Sequence, residues 1–571
     1  MRKARRSAAR ARVLSRRRWL FGATVFAIWL AATGWSLLGA YRASDSAASA
    51  ARVLAADFNT ADSDVLRPVL IDLDRAVNRM NDPWVRPVRW IPWIGRQLNA
   101  VDDLAVAGRE AVGAGIDAID AIDTATLDDP VEALAVASEA LRDALAQLEQ
   151  ISVPSNRWLV GPVSDARAEL TEALADIGGE LVRYEGLASG LASMAQGQST
   201  YVIAAANTSE MGSASGMLLQ YGTMHLDGGA AIVSDFTSQG DLGRPSQIDI
   251  DENIRLLWAT TDPGHLWQYT SHLSSRASEV ARITADMWES VSDTPVDGVI
   301  IMSPIAMQLL LEASGTDTID LDGRTLATSD IPQFFAHDQY SVFDNPDTTK
   351  TEGVIERRSL LASVASAALG SVFDGDADAR SLVNGLYRAL DGRHLVFWSR
   401  NDELQSSWKR AGASGDPAAN AVKVGVANAG GNKLDQFLDV DVAVTNRRPN
   451  AVRLDIDITN IADEDAVAYI LGARRSGQYS GHLIVNVPAG AKSIETSGTT
   501  SLNASANDGA THSYVFIVEL DIGESASWTV DIELPDNMGE IVIEPSGRWP
   551  AIDWLVDGRS RADERSVFVL G

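Results

Sequence analysis

Residues 201–227 read YVIAAANTSEMGSASGMLLQYGTMHLD. Two apolar runs, Tyr201–Ala206 and Met217–Leu226, flank small and polar side chains from Asn207 to Gly216. Apolar runs of this length bounded by Gly and Ser predict two strands. The interruption has two readings. In one, Asn207 closes an Asx-type turn inside a sheet. In the other it is a loop beyond the carboxyl end of a strand, where ligands of open α/β sheets bind. On that reading Asn207 and Glu210 are the site candidates, and Gly212 to Gly216 let backbone approach a ligand closely.

Strands and helices go on alternating outward from this stretch. VDGVIIM (296–302) predicts a strand, and SPIAMQLLLEAS (303–314) a helix capped by Ser303, opened by Pro304 and stopped by Gly315. ERRSLLASVASAALGSVF (356–373) predicts another helix, and HLVFWS (394–399) a strand between two further helices. Residues 200–420 therefore predict an α/β layered core domain. Upstream, residues 42–199 read as an extracytoplasmic helical bundle. Pro130 opens a helix behind the candidate cap Asp129, with Leu134, Leu141, Leu145 and Leu148 on one face. Leu170, Leu174, Ile177 and Leu181 repeat the pattern. Between the first helices, DPWVRPVRWIPWIGRQ (82–97) sets Trp84, Trp90 and Trp93 among three prolines. These tryptophans either plug the open end of the bundle or dip into a membrane interface. Downstream, residues 421–571 alternate with period two, at Leu438, Val440, Val442, Val444 and at Val452, Leu454, Ile456, Ile458. SYVFIVEL, SWTVDIEL and EIVIEP continue the pattern, which predicts a self-sufficient antiparallel β-sandwich.

The N-terminus differs in kind. Residues 1–18 form a basic cytoplasmic tail, and residues 19–41, WLFGATVFAIWLAATGWSLLGAY, hold no charge. That length spans a ~30 Å hydrocarbon core, with Trp19 and Tyr41 at its borders. The arginines before the span predict an uncleaved single-pass anchor in the cell membrane, N-terminus cytoplasmic and residues after Tyr41 extracytoplasmic. The fold class is thus multidomain: transmembrane helix, helical bundle, α/β core and β-sandwich.

Composition narrows the chemistry. Hydrophobic residues at 46% beside 22% charged indicate a globular chain. Scarce lysine and abundant alanine resemble a high-GC, actinobacteria-like source. There is no cysteine, which excludes disulfides and thiol chemistry. A formal charge of -29 disfavours nucleic acid as a partner. The seven histidines show no zinc-ligand spacing, and no Walker loop or GxSxG elbow is present. DIDEN (249–253) carries acidic side chains suited to calcium but lacks the spacing of a twelve-residue calcium loop.

Residues 201–229, MWESVSDTPVDGVIIMSPIAMQLLLEASGTDTI (287–319), GNKLDQFLDVDVAV (431–444) and YILGARRSGQYSGHLIVNVPAGA (469–491) resemble the bacterial domain-of-unknown-function 4012 family. The resemblance implies the same order of anchor, helices, α/β core and β-rich tail, and no established activity. The α/β core also resembles the LytR-CpsA-Psr transferases, which attach glycopolymers from a polyprenyl-pyrophosphate carrier to the cell wall. That likeness implies a site built from NTSE (207–210) and EGVIERRSLL (352–361), with Asn207, Glu210, Arg357 and Arg358 as candidates. It implies a divalent cation such as magnesium as the one cofactor, with Glu210 as candidate ligand. Gly212 stands where the first family usually has arginine, and Val354 where the transferases have one. A pocket short of two guanidinium groups holds pyrophosphate poorly. The sequence therefore reads as a non-catalytic or weakly catalytic envelope protein of surface-polysaccharide assembly or display, with polyprenyl-linked glycan or envelope proteins as partners. The alternative is a phosphotransferase acting on polyprenyl-pyrophosphate-linked glycan.

Overall fold

The structure, a computed structural model, describes residues 63–570 apart from 84, 125–129, 259–263, 322, 343–349, 374–378 and 473–476. The basic tail, the expected anchor at 19–41, Trp84 and Asp129 lie outside the described residues. Among the described residues no helix is long and apolar enough to cross a membrane. The chain divides into two compact units, one holding residues up to Thr126 and Ala135–Glu185, the other Leu127–Leu134 and Gly186–Gly571.

The first unit is helical. Helices α1 (Ser63–Met80) and α2 (Pro92–Thr124) run antiparallel, pinned by ion pairs Arg67–Asp120 and Arg109–Asp74. Helix α3 (Pro130–Gln150) starts at its proline as expected, and α4 spans Gly161–Ala195. Ala100, Leu104 and Ala107 of α2 pack on Val163 and Leu170 of α4. Leu141, Leu170, Ile177 and Leu181 are buried, so the apolar stripes do face inward.

The second unit starts from a six-stranded sheet. Its strands are β1 (Gln198–Met211), β2 (Gly216–Asp227), β3 (Ala230–Val233), β4 (Thr237–Ser238), β5 (Gly298–Met302) and, beyond the small hairpin β6–β7 (Thr318–Leu321, Arg324–Ala327), β8 (Leu395–Ser399). Their order is β3-β2-β1-β5-β8 with β4 on β2. The β1–β5 pair is parallel, and β1–β2 and β5–β8 are antiparallel. Period two sorts the side chains by face. Tyr201, Ile203, Ala205, Ile300, Met302, Leu395 and Phe397 meet helices α7 (Pro304–Ala313), α8 (Lys350–Phe373), α9 (Ala379–Asp391) and α10 (Asp402–Ala411). Val202, Ala204, Ala206, Val299, Ile301, Val396 and Trp398 meet α5 (Glu252–Leu257) and α6 (Ala277–Ser292). Ser303 caps α7, accepting from the Ala306 amide, as its position before Pro304 predicts. Asp251 of the DIDEN stretch caps α5, accepting from the Asn253 amide. That acidic cluster therefore starts a helix.

Residues 421–570 form a sandwich of two six-stranded sheets. One holds β10 (Leu438–Arg448), β11 (Ala451–Asn460), β13 (Ser493–Gly498), β16 (Ser525–Glu533), β18 (Asp553–Val556) and β19 (Arg559–Arg561). The other holds β9 (Ala421–Asn428), β12 (Tyr479–Pro488), β14 (Leu502–Asp508), β15 (Thr511–Leu520), β17 (Glu540–Glu544) and β20 (Ser566–Val569). The predicted alternating residues of β10 and β11 fill the core between the sheets. The sheets are mixed, not purely antiparallel: β10–β18 and β9–β17 run parallel. A parallel neighbour needs a crossover, and β17 and β18 reach theirs only after strands in both sheets have been laid down.

The α/β layers and the sandwich share a core. Ala427, Ile484, Ala506 and Val515 of the sandwich pack in the same cluster as Ala204 and Val280. Polar bonds cross the seam as well. The Asp508 carboxylate accepts from Ser274 Oγ at 2.6 Å, the Ser275 amide at 2.7 Å and Arg276 Nε at 2.8 Å. The buried Lys423 ammonium donates to the Ser213 carbonyl, and burial first, then Arg393, pushes its pKa down to about 7.

Trp258 presents its ring to two seam histidines, His272 at 6.3 Å and His482 at 5.2 Å, both edge to face. Burial, then the neighbouring His272, pushes His482 down to about 4. A histidine neutral in the fold but protonated in the unfolded chain makes stability fall as pH drops from 6.5 towards 4. The full span amounts to about 3 kcal/mol. Asp435, pushed up to about 7 mainly by burial, acts with the opposite sign between 7 and 3.8, so the comparison must be with the parent chain. His482→Gln is expected to flatten the acid limb of the parent's denaturation midpoint against pH. An unchanged limb contradicts the assignment.

A candidate binding cleft at the end of the first core strand

The stretch from Asn207 to Gly216 is neither an exposed turn nor an open loop. Strand β1 runs on to Met211, with a register shift against β2 between Asn207 and Met211, and only residues 212–215 form the turn. The side chains from Tyr201 to Leu218 are buried. The expected role of the small residues is corrected here. A Cβ at Gly212 would lie 2.5 Å from Ser271 Oγ, and one at Gly216 2.5 Å from the Asn207 carbonyl oxygen. These glycines let the hairpin close on itself and on the 271 segment, not on a ligand.

The bulge turns Asn207 and Glu210 towards a cleft of about 320 Å³. Asn207 Oδ1 accepts from the Ser209 amide at 3.2 Å, the Asx-type bond, and from Ser209 Oγ at 2.8 Å. Ser209 Oγ also bonds Tyr340 Oη at 2.7 Å, and Asn207 Nδ2 donates to the same oxygen at 3.4 Å. Tyr340 lies in the short helix Gln339–Val342, which follows a π-helical turn, Phe334–Asp338. Such turns re-aim side chains out of helical register, and this one sets Phe335, Gln339 and Tyr340 along the cleft.

The sandwich supplies the opposite wall. Glu210 forms a buried ion pair with Lys433 Nζ, which stands 5.6 Å from the centroid of the Tyr469 ring. The Tyr340 and Tyr469 rings stack at 5.4 Å and 24°. Burial opposes the charge on Lys433, but Glu210 outweighs it and holds the ammonium above the usual lysine range. Behind the wall Asn428 Nδ2 donates to Asp435 at 2.6 Å, and His272 Nε2 meets the Asn428 carbonyl at 2.7 Å. Gln220, Gln239, Gln268, Tyr269 and Ser238 also line the cleft.

Of the expected site residues, the fold brings Asn207 and Glu210 together at this cleft. The side chains of Arg357 and Arg358 lie outside the described residues; their helix α8 reaches the cleft through Leu361. The carboxylate of Glu210, the expected ligand of a divalent cation, is engaged by Lys433. Among the described residues no group of three or more His, Asp or Glu could hold a metal ion. Sequence reasoning missed Lys433, Tyr340 and Tyr469. Two of them sit inside quoted blocks, GNKLDQFL and YILGARRSGQYSG, but nothing local marks them, since each acts through a partner more than a hundred residues away.

A comparison with curated proteins finds no match, and neither does one with solved structures. Residues 196–340 match the family model described as a protein of unknown function, DUF4012. That quarter of the chain, from the start of β1 to Tyr340, is what is similar to the DUF4012 family, and it supplies the Asn207–Glu210 side of the cleft.

Proposed function

We propose that this is a membrane-anchored, extracytoplasmic envelope protein, non-catalytic or weakly catalytic, that binds glycan in its cleft during surface-polysaccharide assembly or display. The observation that carries the reading is the lining. Carboxamides of Gln220, Gln239, Gln268 and Gln339 ring the cleft together with the aromatic side chains of Tyr269, Tyr469 and Phe335. A carboxamide offers donors and an acceptor side by side, as vicinal hydroxyls demand, and aromatic faces cover the C–H face of a sugar ring. The described charges of the lining, Glu210 and Lys433, neutralise each other. The 23 uncharged residues behind a basic tail support the anchor.

One observation favours the second reading, phosphotransfer from a polyprenyl-pyrophosphate carrier: the helix bearing Arg357 and Arg358 contributes Leu361 to the same cleft. Calorimetric titration of the full chain in detergent separates the two. Neutral oligosaccharides are expected to bind, and Gln268→Ala or Tyr469→Ala to weaken them roughly tenfold, about 1.4 kcal/mol. Binding of polyprenyl pyrophosphate alone, lost in Arg357→Ala, would instead establish the transferase reading.

A further inference from the structure

The helical unit ends in a surface unlike the rest of this acidic chain. Trp90 is 88% exposed, Trp93 61% and Trp158 72%. Trp90 and Trp93 do not plug the bundle, as one sequence reading had it, and Trp84 lies outside the described residues. Trp90 and Trp93 lie where α1 turns into α2, and Trp158 where α3 turns into α4. Gln97 ties the two turns together, donating to the Trp158 carbonyl at 2.8 Å and accepting from the Val160 amide at 3.0 Å. Gly95 lets the first turn fold tightly, since a Cβ there would sit 2.0 Å from the Arg89 carbonyl oxygen. Trp158 holds φ at 66°, the left-handed region that a bulky side chain rarely enters. An exposed aromatic kept there against its preference indicates a use for its position.

Between the turns lies an open groove of about 610 Å³, lined by Arg89, Arg96, Arg157 and Trp158. Arg89 pairs with Asp102 at 2.8 Å, and Asp103 also faces the groove, leaving guanidinium groups in excess. Tryptophan beside arginine is the composition that settles at a bilayer's headgroup level, the ring among the acyl boundary and the cation on phosphate. Chain length permits the contact. Ser63 lies at the opposite end of α1 from this surface, because α1 is antiparallel to α2. The 21 residues between Tyr41 and Ser63 span about 31 Å even as helix, against about 27 Å for the 18 residues of α1. The connector is thus long enough to bring the bilayer level with the tryptophans.

We propose that residues 85–96 and 151–159 form a bilayer-docking surface, with Trp90, Trp93 and Trp158 at headgroup level and Arg96 and Arg157 on lipid phosphate. It lays the helical unit against the membrane as a second contact beside the anchor, on which it rests for proximity.

The chain has no cysteine, so single labels are simple to place. An environment-sensitive dye is attached to Ile91→Cys, Ser155→Cys, Glu139→Cys or Leu30→Cys in the full chain. The protein is reconstituted in phosphatidylglycerol–phosphatidylethanolamine vesicles containing both lipids brominated near the headgroup and lipids brominated deep in the acyl chains, so that a label at either depth meets a quencher. Quenching is expected at positions 91, 155 and 30, and none at 139. Joint substitution Trp90→Ala, Trp93→Ala and Trp158→Ala should abolish it at 91 and 155 and leave position 30 unchanged. These side chains are exposed, so an unaltered circular dichroism spectrum serves as the folding control. Quenching at 30 without 91 and 155 overturns the docking surface and keeps the anchor. Quenching at 91 and 155 without 30 supports the surface and removes the anchor, and no quenching anywhere overturns both.

Discussion

Replacing Lys433 by methionine is expected to cost the second unit about 3–5 kcal/mol of stability, the usual cost of removing one partner of a buried ion pair. Both ends of the pair are enclosed, with the Lys433 side chain 10% exposed and that of Glu210 8%. Methionine keeps most of the lysine volume and its contact with the Tyr469 ring, so the loss reports the carboxylate left without a counter-charge. Glu210→Gln in the same chain removes that charge, and the double variant should regain most of the stability. Chemical denaturation followed by tryptophan fluorescence reads the effect. Additive losses in the double variant would falsify the pairing argument, because two uncoupled sites simply sum. The same variants test the cleft. If the pair serves to keep the site neutral, Lys433→Met removes the positive charge beside the cleft and weakens any acidic ligand before it affects a neutral one.

Asp508→Ala is expected to destabilise the seam by a similar amount, about 3–5 kcal/mol. The carboxylate is 1% exposed and answers three donors of the α/β layer at once, one of them the guanidinium of Arg276. Alanine leaves the Ser275 amide and Arg276 without an acceptor, and buried donors in that state carry their whole desolvation cost. Asp508→Asn keeps an acceptor and should lose less. A related outcome concerns the tail as a fragment. Cut at Ala421, the sandwich would expose Ala427, Ile484, Ala506 and Val515 together with the amine of Lys423. The fragment is expected to keep strand-type circular dichroism, because the core between its sheets loses only Met211 and Tyr340, yet to melt well below the intact chain. A fragment that melts where the intact chain does would show that the seam contributes nothing.

Much of the architecture was legible because its signal is local. Alternation with period two fixes which side of a strand is buried, and Val440 and Val442 face the sandwich core as that pattern requires. Ser303 followed by Pro304 specifies a helix start through one amide bond and one fixed dihedral, so four residues suffice to read it. The stripes of α3 and α4 were readable for the same reason. Readings that needed the neighbours of neighbours went otherwise. The small residues Gly212 to Gly216 announced a close approach correctly, but only the fold shows that the approaching group is the 271 segment. The tryptophans around Trp90 announced a special surface, and whether it was inside or outside depended on the turn that Gln97 holds.

The sequence by itself determined the order of helical, α/β and β-rich regions, the faces of the strands, and the candidacy of Asn207 and Glu210. Each of these depends on interactions within about a dozen residues, where chain connectivity supplies the contact. Only the tertiary structure decided that Glu210 meets Lys433, that Tyr340 stacks on Tyr469, and that Asp508 answers Ser274 and Arg276. These partners stand between about 130 and 230 residues apart. A charge or a ring carries no mark of which distant group will neutralise or cover it. Packing two sheets and their helices brings the pairs together, and the desolvation of that packing is what makes each pairing obligatory.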